Sequence, residues 1–306
     1  MEALFIGQAY IDITFLTDYL PTGDEKYVAQ DYAVSFGGNA VTAGFCCARL
    51  GTPPEILCSV SDDWLGRMFL DMAAKYSISI HSRKVRESSL SFIMPKDGKR
   101  AIVRCRDDHY LHPFPLLNIE GCRALHLDGH QPDAALHYAK ACREAGILTS
   151  LDGGAVRSNT DDLLRFIDVA VVSMRFCEQM GMTPRDTLGF LQSKGCLIGG
   201  VTMGEEGIVY YDETREIREM AALRVPKAKV IDTNGAGDVF HGAYIWSYLN
   251  APGRSWTEHF AFSRGASAHA IQHLGNEDSL PTLDDVERTI AEYAPENVEM
   301  LRAGLN

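Results

Sequence analysis

The sequence predicts an α/β protein in three layers, with a mostly parallel central sheet between two sets of helices, and a small additional β-sheet. Three observations indicate this fold. Short β-rich segments alternate with helical patterns along most of the 306 residues, as in successive βαβ units. A composition of 46% hydrophobic and 23% charged residues suits a globular protein with a sizeable core. Two strand-like stretches, 25–36 and 90–106, interrupt the alternation and predict the extra sheet.

The first third of the chain gives two strand–helix pairs. Residues 4–12, LFIGQAYID, are apolar enough for a buried strand, and 37–51, GGNAVTAGFCCARLG, have the spacing of a helix that ends at Gly51. EILCSV at 55–60 predicts the next strand, and DDWLGRMFLDMAAKY at 62–76 predicts a helix with acids in its first turn. A parallel pair with right-handed crossovers follows from this order.

The alternation continues through the middle of the chain and gives way to helices at the end. Strands are predicted where β-branched and apolar residues cluster, and helices where the apolar spacing is three to four residues. In chain order these segments are ALHLDG, DAALHYAKACREAG, LTSLDGG, DDLLRFI, VAVVSM, VFHGAYIWSYL, SWTEHFAFSRGASAHAIQHLG and TLDDVERTIAEYA.

The two interrupting stretches are expected to form a small β-sheet that covers a site on the main sheet. In the second stretch, Asp97-Gly98 stands between two alternating runs, which is typical of a hairpin turn. We therefore expect one domain over 1–306, with a lid formed by about 13–36 and 88–107. Exposed edges of such a lid favour pairing with a second lid across a two-fold axis, and so a homodimer.

The charge of the chain limits its partners. A net charge of -12 and a pI near 5.3 argue against nucleic acid or an anionic membrane as partner. The eight cysteines form no C-x-x-C pair and mostly lie in apolar runs, as expected of reduced core residues. MEALFIGQAYID starts as strand-like sequence with no basic region or cleavage site, so we expect a cytoplasmic protein.

The segment DTNGAGDVFHGA, 232–243, predicts a phosphate site with an acid beside it. The following residues have helical spacing, so GAGD falls at a helix N-terminus, where free backbone N–H groups attract anions. A carboxylate at Asp238 would repel a bound phosphate, which makes sense if it accepts a proton from an attacking hydroxyl. The alternative is that Asp238 only complements the helix dipole and the glycines only form a turn.

Several motifs resemble the ribokinase-like (PfkB) family of carbohydrate kinases. DTNGAGDVF matches the family's signature D-T-x-G-A-G-D-x-F at every fixed position, and GGNAVTAGFCCARLG followed by VSDDWLG resembles its N-terminal signature, with Ser61 where glycine is usual. GQAYID places Asp12 like the family's sugar-binding aspartate, and VTMGEEGIVYY resembles its nucleotide-side hairpin. The resemblance implies the ribokinase-like fold and an ATP-dependent kinase of a small sugar.

The resemblance also implies roles for individual residues. Asp238 would be the catalytic base, and the N–H groups of Gly235, Ala236 and Gly237 would form the anion hole. The remaining implied residues contact the two substrates: Asp12, Gly38 and Asn39 the sugar, and Thr202, Gly204, Gly207 and Thr233 the nucleotide. Simpler roles stay open, namely a turn cap for Asp12, a helix cap for Asn39 and a hairpin turn for Gly204 and Gly207.

One departure from the family concerns the metal. Where the family commonly carries N-x-x-E, this chain reads SMRF, Ser173 to Phe176. Mg²⁺ would then be held mainly by ATP phosphates and water, and no protein ligand is expected. The resemblance also admits a monovalent cation such as K⁺. Loss of N-x-x-E, together with PTGDEKYVAQDY, LDGG and DVFHGA, is similar to the branch of ketohexokinase and 6-deoxy-6-sulfofructose kinase, and points to a ketose or a modified ketose.

Basic residues in the lid suggest an anionic sugar. Lys26, Arg100, Arg104 and Arg106 give it local positive charge, with Arg104 and Lys26 as candidate ligands, although such residues also discourage edge pairing. His130 lies where ketohexokinase-like enzymes place an arginine, so it is a further substrate candidate or a cap for the next helix. The two remaining conspicuous histidines, His241 and His269, are expected to pack in the core.

Other classes fit less well. The first strand is not followed by G-x-G-x-x-G and no G-x-x-x-x-G-K-[ST] occurs, which excludes a Rossmann dehydrogenase and a Walker A site. A nucleoside kinase of the same fold and a non-catalytic sugar sensor stay open. An apolar slot would favour the nucleoside kinase, and the intact Asp238 opposes the sensor.

Overall fold

The fold is described from a computed structural model of the chain, over residues 1–19, 23–96 and 99–294. The β-strands are β1 (Ala3–Gly7), β2 (Tyr10–Leu16), β3 (Asp31–Gly37), β4 (Glu55–Val60), β5 (Ser79–Lys84), β6 (Leu90–Lys96), β7 (Lys99–Cys105), β8 (Ala124–Leu127), β9 (Leu148–Gly153), β10 (Val169–Ser173), β11 (Ile198–Thr202), β12 (Ile208–Tyr211) and β13 (Ile217–Met220). The helices are α1 (Asn39–Arg49), α2 (Trp64–Lys75), α3 (Pro132–Glu144), α4 (Thr160–Leu164), α5 (Met174–Met180), α6 (Pro184–Ser193), α7 (Ala236–Asn250), α8 (Trp256–Ala270) and α9 (Leu283–Tyr293).

The main sheet has nine strands in the described ranges, in the order β13-β12-β11-β10-β9-β8-β1-β4-β5. All neighbours are parallel except the β11–β12 and β12–β13 pairs at one edge. Central strands such as VAVVS in β10 are buried almost throughout, as expected for strands covered on both faces. The carboxyl ends of the parallel strands therefore share one edge, where ligands bind in such folds.

Helices cover both faces of the main sheet and complete the three layers. One apolar core packs α1, α7, α8 and α9 on one face, and a second core packs α3, α4, α5 and α6 on the other. Capping boxes begin α6, α8 and α9, at Thr183, Ser255 and Thr282. The predicted α/β fold with a mostly parallel sheet is confirmed.

Two local predictions were wrong. The single strand predicted over 4–12 is two strands, because the chain leaves β1 at Gly7 and enters β2, in the other sheet, at Tyr10. The acids predicted in the first turn of α2 precede it, and Asp63 is its N-cap, accepting a hydrogen bond from the Gly66 N–H. Both errors arise because the spacing of apolar residues does not show at which residue a strand or helix begins or ends.

The small sheet consists of four strands in the order β3-β2-β6-β7. Successive residues point to opposite faces, so the register sets Asp12, Ser35, Ser91 and Arg104 on one face. The other face carries Ile13, Val34, Phe92 and Val103. β6 and β7 form the predicted hairpin, while its predicted turn at Asp97-Gly98 lies outside the described residues.

Two global features match simple expectations. Seven of the eight cysteines are buried free thiols and Cys105 is exposed, so the cysteines are core residues with one exception. Across the part of the chain that the structure describes, every helix is too short or too polar to cross a bilayer.

Candidate active site

The segment 232–238 forms a turn that leads directly into α7. We call it the bare turn, because residues 235–237 are Gly-Ala-Gly. Gly235 has φ 74, a conformation that glycine adopts without strain, and a Cβ there would lie 2.5 Å from Asn276 Oδ1. Asp232 shapes the turn, since its carboxylate accepts hydrogen bonds from Asn234 N at 2.8 Å and Gly275 N at 3.2 Å. A Cβ at Gly237 would meet nothing within 4 Å. The first N–H groups of α7 therefore face open space, which suits an anion.

Asp238 lies in the first turn of α7, partly buried, among other acids. Burial raises the pKa of its carboxyl group well above the ordinary range, and the negative charges of Asp152, Asp12 and Asp128 add to this. The Arg100 charge acts in the opposite direction. A carboxyl group with a raised pKa is a stronger base once ionised, which is the property required of a proton acceptor.

Asp12 on β2 is 3% exposed and has one oxygen available for a ligand. Its Oδ2 accepts a hydrogen bond from Asn276 Nδ2 at 3.0 Å, whereas its buried Oδ1 has no partner in the described part of the chain. Burial raises the pKa of Asp12, while the Ser91 hydroxyl, the Arg104 charge and the Asn276 amide oppose the rise. An unpaired buried acceptor is costly, so Oδ1 is suited to receive a hydroxyl donor.

Gly38 and Asn39 lie where α1 begins, beside two further acids. Gly38 is the N-cap residue of α1, and Asn39 Nδ2 donates to Asp152 Oδ2 at 2.9 Å. Asp128, after β8, accepts from Ala40 N at 3.3 Å and, on its other oxygen, from His130 N at 2.9 Å. The Asn39 side chain does not cap α1, which removes the simpler role suggested for it.

Arg100 joins the small sheet to the bare turn. From β7 its Nη1 approaches the Thr233 carbonyl oxygen at 3.3 Å and the Thr233 hydroxyl at 3.4 Å. Its charge also acts on Asp232 and Asp238 and opposes the rise in pKa that burial causes at each. The small sheet, which itself carries Asp12, thus contacts the turn 232–238.

Arginine side chains lie close to Tyr10 and His130. Arg104 Nε donates to Ser91 Oγ at 3.1 Å, and its guanidinium lies 4.4 Å from the centre of the Tyr10 ring. His130 is half-buried, and burial lowers its pKa to about 4, so it is neutral near pH 7. The charges of Arg157, Arg106 and Arg104 all act on this imidazole. Within the described residues no hydrogen bond or ion pair joins the exposed Lys26 to this group.

The nucleotide-side candidates lie on the β11–β12 hairpin and the bare turn. Thr202 Oγ1 donates to Val172 O at 3.3 Å, and Gly204 forms the turn with φ 60. Gly207 has a structural requirement of its own, since a Cβ there would lie 2.1 Å from Met220 O. The hairpin role suggested for these glycines therefore accounts for Gly207 without a nucleotide.

The position of the missing N-x-x-E is occupied by a helix cap. Ser173 Oγ accepts from Phe176 N at 3.3 Å and donates to Gly154 O at 3.0 Å, and Phe176 is fully buried. No cluster of three or more His, Cys, Asp or Glu able to hold a metal occurs in the described ranges.

Sequence reasoning missed several residues that the fold brings to this site: Asp128, Asp152, Arg157, Asn234 and Asn276. Two of them had a usable signal, because Asp128 and Asp152 stand at the carboxyl ends of parallel strands, where ligands bind. Asn276 and Arg157 lie in loops with no distinctive pattern.

Comparisons with known proteins agree with this geometry. Residues 2–283 match the model of the pfkB family carbohydrate kinases. The ribokinase of Lactococcus lactis is 24% identical, over 94% of this chain and 96% of its own. A crystal structure of a protein proposed to be a ribokinase from Agrobacterium tumefaciens superposes with a TM-score of 0.87 at 22% identity, covering 96% of this chain and 98% of that one. The Arabidopsis thaliana ribokinase complexed with ribose and ATP has a TM-score of 0.78 at 20% identity, covering 94% and 98%.

Proposed function

The chain belongs to the pfkB family of carbohydrate kinases, and from this premise we propose that it transfers the γ-phosphoryl group of MgATP to a hydroxyl of a small anionic sugar, a modified ketose in the first instance. The observation that carries the proposal is the position of Asp238 directly after Gly-Ala-Gly 235–237 in the bare turn, with the unpaired Asp12 Oδ1 in the same site. One group would accept the proton and the other would hold the sugar.

The proposed reaction assigns a role to each of these groups. Asp12 and Asn39 bind sugar hydroxyls, and the reacting hydroxyl gives its proton to Asp238 as its oxygen attacks the γ-phosphorus of ATP. The bond from the γ-phosphorus to the bridging oxygen breaks at the same time, and ADP leaves. The N–H groups of Gly235, Ala236 and Gly237 donate to the phosphoryl oxygens, whose charge they stabilise. Thr202, Gly204, Gly207 and Thr233 line the proposed path of the nucleotide, and Arg100 approaches it from the small sheet.

Metal ions enter the proposal only through the nucleotide. Mg²⁺ bound with ATP would neutralise the charge of the β- and γ-phosphates. The chain offers Ser173 and Phe176 where relatives carry metal-associated residues, so ATP oxygens and water remain as its ligands. A requirement for a monovalent cation such as K⁺ is tested by replacing K⁺ with tetramethylammonium in the assay.

The preference for an anionic sugar is supported by charges on three separate elements. Arg104 on β7, Arg106 after it and Arg157 in the β9–α4 loop all act on His130, against the opposing Asp128 charge and with Arg106 also paired to Asp108, in a protein whose net charge is -12. Arg157 Nε donates to Asp128 O at 2.9 Å, which fixes the stem of this side chain beside the sugar site. Arginines gathered against the overall charge favour a carboxylate, sulfonate or phosphate group on the substrate.

ATP turnover with a panel of sugars tests this proposal. The panel contains neutral ketoses and aldoses, sugar acids, sugar sulfonates, sugar phosphates and nucleosides. We expect ADP release to be fastest with an anionic sugar, and Arg157→Gln to raise the KM for that sugar about tenfold, the effect of one lost charge-assisted hydrogen bond. Arg165→Gln serves as the matched control, because Arg165 is exposed just after α4 and pairs with Asp161.

The outcomes separate the competing functions. Preference for a nucleoside would support the nucleoside kinase instead. Saturable sugar binding without ADP release from any compound would support a non-catalytic sensor. A neutral sugar turned over fastest, with Arg157→Gln indistinguishable from the parent, would contradict the anionic substrate but leave the kinase in place.

The partner proposed for the small sheet is a second copy of the chain. Its outer face is apolar, with Phe92 41%, Val103 64% and Tyr32 66% exposed, and Phe15 stacks on Phe92 with ring centres 6.3 Å apart. A contiguous apolar face of this kind is typical of an interface, and an identical copy satisfies it with two-fold symmetry. The strands around it form the proposed lid of about 13–36 and 88–107.

A further inference from the structure

A chain of buried polar side chains runs between one face of the main sheet and α7 and ends at Asp152, beside the proposed base. His126 Nδ1 lies 3.0 Å from Ser150 Oγ, Ser150 Oγ lies 2.6 Å from the Tyr244 hydroxyl, and that hydroxyl lies 2.7 Å from His241 Nδ1. His241 Nε2 is 3.6 Å from Asp152 Oδ1. All five residues are almost completely buried. The core of the protein is therefore connected to one acid of the active site.

The protons of this chain have a preferred direction. Burial lowers the pKa of His126 and of His241 to about 3, so both imidazoles are neutral and each carries one proton. His126 Nε2 has no partner among the described residues. Leaving a bare nitrogen there costs less than leaving a buried N–H unpaired, so the proton of His126 lies on Nδ1. Each hydroxyl then donates onward, and His241 directs its Nε2–H toward Asp152.

We propose that Asp152 is a positioning residue for phosphoryl transfer. Asp152 orients the Asn39 amide toward the sugar, and its own negative charge acts on Asp238. This inference rests on the proposed function, in which Asn39 binds the sugar and Asp238 is the base. Asp152 itself touches neither the sugar nor the transferred group in this role. It acts through two neighbours.

The first neighbour is Asn39. Its Nδ2 donates to Asp152 Oδ2 at 2.9 Å, so its Oδ1 is directed away from Asp152. An amide held in this way presents an acceptor to a sugar hydroxyl instead of alternating between donor and acceptor. Gly154 leaves the space for this contact, because a Cβ there would lie 3.0 Å from Asn39 Nδ2.

The second neighbour is Asp238. His241 follows it by three residues on α7, so Asp152 lies along the same side of that helix. The charged groups that act on Asp238 are Asp152, Arg100, Asp12 and Asp128, and after burial the Asp152 charge is the strongest cause of its raised pKa. Burial raises the pKa of Asp152 itself and the Asp128 charge adds to this, whereas the Asn39 hydrogen bond, His126 and Arg157 oppose the rise. Removing the Asp152 charge should therefore lower the pKa of Asp238.

Two substitutions separate these effects. Asp152→Asn removes the charge but keeps an oxygen that accepts from Asn39, so the acid limb of the kcat–pH profile should move to lower pH by roughly one unit while the sugar KM changes little. Asp152→Ala also removes the acceptor, so the same shift should be joined by a sugar KM raised about tenfold. Asp168→Asn is the matched control, since Asp168 is a buried acid that precedes β10 at the opposite edge of the sheet. It should lower Tm without moving the acid limb.

A measurement without turnover tests the charge effect independently. Carboxyl groups with raised pKa values stabilise the fold fully below the ordinary carboxyl pKa of about 4, and this contribution is lost as pH rises through the raised values. Asp152→Asn removes one of the two repelling charges and reduces that loss, so its Tm relative to the parent should rise as the pH increases above the ordinary carboxyl pKa. The Tm difference for Asp168→Asn should show no such rise.

The results that overturn the inference differ from those that overturn the proposed function. An active enzyme in which Asp152→Asn leaves both the acid limb and the pH dependence of Tm unchanged contradicts the role of Asp152 alone. A parent enzyme that phosphorylates no sugar contradicts the proposed function, and the Tm comparison then still decides whether Asp152 and Asp238 interact.

Discussion

Asp238 combines two opposing influences at one residue. A helix N-terminus favours an ionised carboxylate, whereas burial and the neighbouring Asp152 raise the pKa of this one. The balance gives a group that is basic enough to take a proton yet lies next to the proposed phosphate site. The other acid of the motif, Asp232, accepts a hydrogen bond from a backbone N–H group with each of its oxygens and so shapes the turn. The two acids of one motif therefore have different tasks.

Asp238→Asn separates catalysis from helix stabilisation. The amide keeps the size of the side chain but cannot accept the proton, so kcat should fall by roughly 10² to 10⁴. ATP affinity should persist or increase, because a negative charge beside the γ-phosphate is removed. If Asp238 served only the helix dipole, the change would cost about 0.3 to 1 kcal/mol of stability and turnover would survive. Measuring kcat, ATP affinity and Tm on this one variant decides between the two roles.

The residues that sequence predicts best are those in local motifs. Asp238, Asp12 and Asn39 were selected because their neighbours along the chain form recognisable patterns, and the fold brings all three to one region. Asn276 could not be found in this way, since it binds Asp12 across 264 residues of sequence. Its role depends on where the loop after α8 meets β2, which no local pattern encodes.

At the scale of elements, the contact between β7 and the bare turn would connect the proposed lid to the proposed catalytic site. Arg100 is the link, through Thr233. The order of strands and helices along the chain could be predicted from periodicity, but this contact could not, because it requires the small sheet to fold over the carboxyl edge of the main sheet. The break between β1 and β2 at Gln8-Ala9 makes that possible, and the apolar run 4–12 conceals it.

Replacing Arg100 tests the element-level link. In Arg100→Gln the charge that lowers the pKa of Asp238 is lost, so the acid limb of the kcat–pH profile should move to higher pH, opposite to the shift expected for Asp152→Asn. The KM for ATP should also rise about tenfold if the guanidinium contacts phosphate. Arg123→Gln is a suitable control, because Arg123 pairs with Glu2 at the distant end of β8. A downward shift of the acid limb in Arg100→Gln would contradict the link.

At the scale of the whole molecule, the two faces of the small sheet have different tasks. The face with Asp12 and Arg104 is polar and covers the site, whereas the opposite face is apolar and partly exposed. A sheet only four strands wide, apolar on its outer side, gains stability when that side is covered. Association of two lids would therefore hold Asp12 and Arg100 in place more firmly, which connects assembly to activity.

Val103→Glu tests whether two copies associate through this face. Val103 is 64% exposed on β7, so glutamate is tolerated in a monomer, but at a two-fold interface it would bring two like charges into an apolar environment. In light scattering we expect the parent to have the molar mass of a dimer of the 33.8 kDa chain. The molar mass of Val103→Glu should shift toward that of the monomer, and its sugar KM should be raised. Leu116→Glu, 78% exposed and outside the small sheet, should leave both properties as in the parent. A parent that is monomeric at all concentrations, or a Val103→Glu variant that stays dimeric, would show that a second copy does not cover this face.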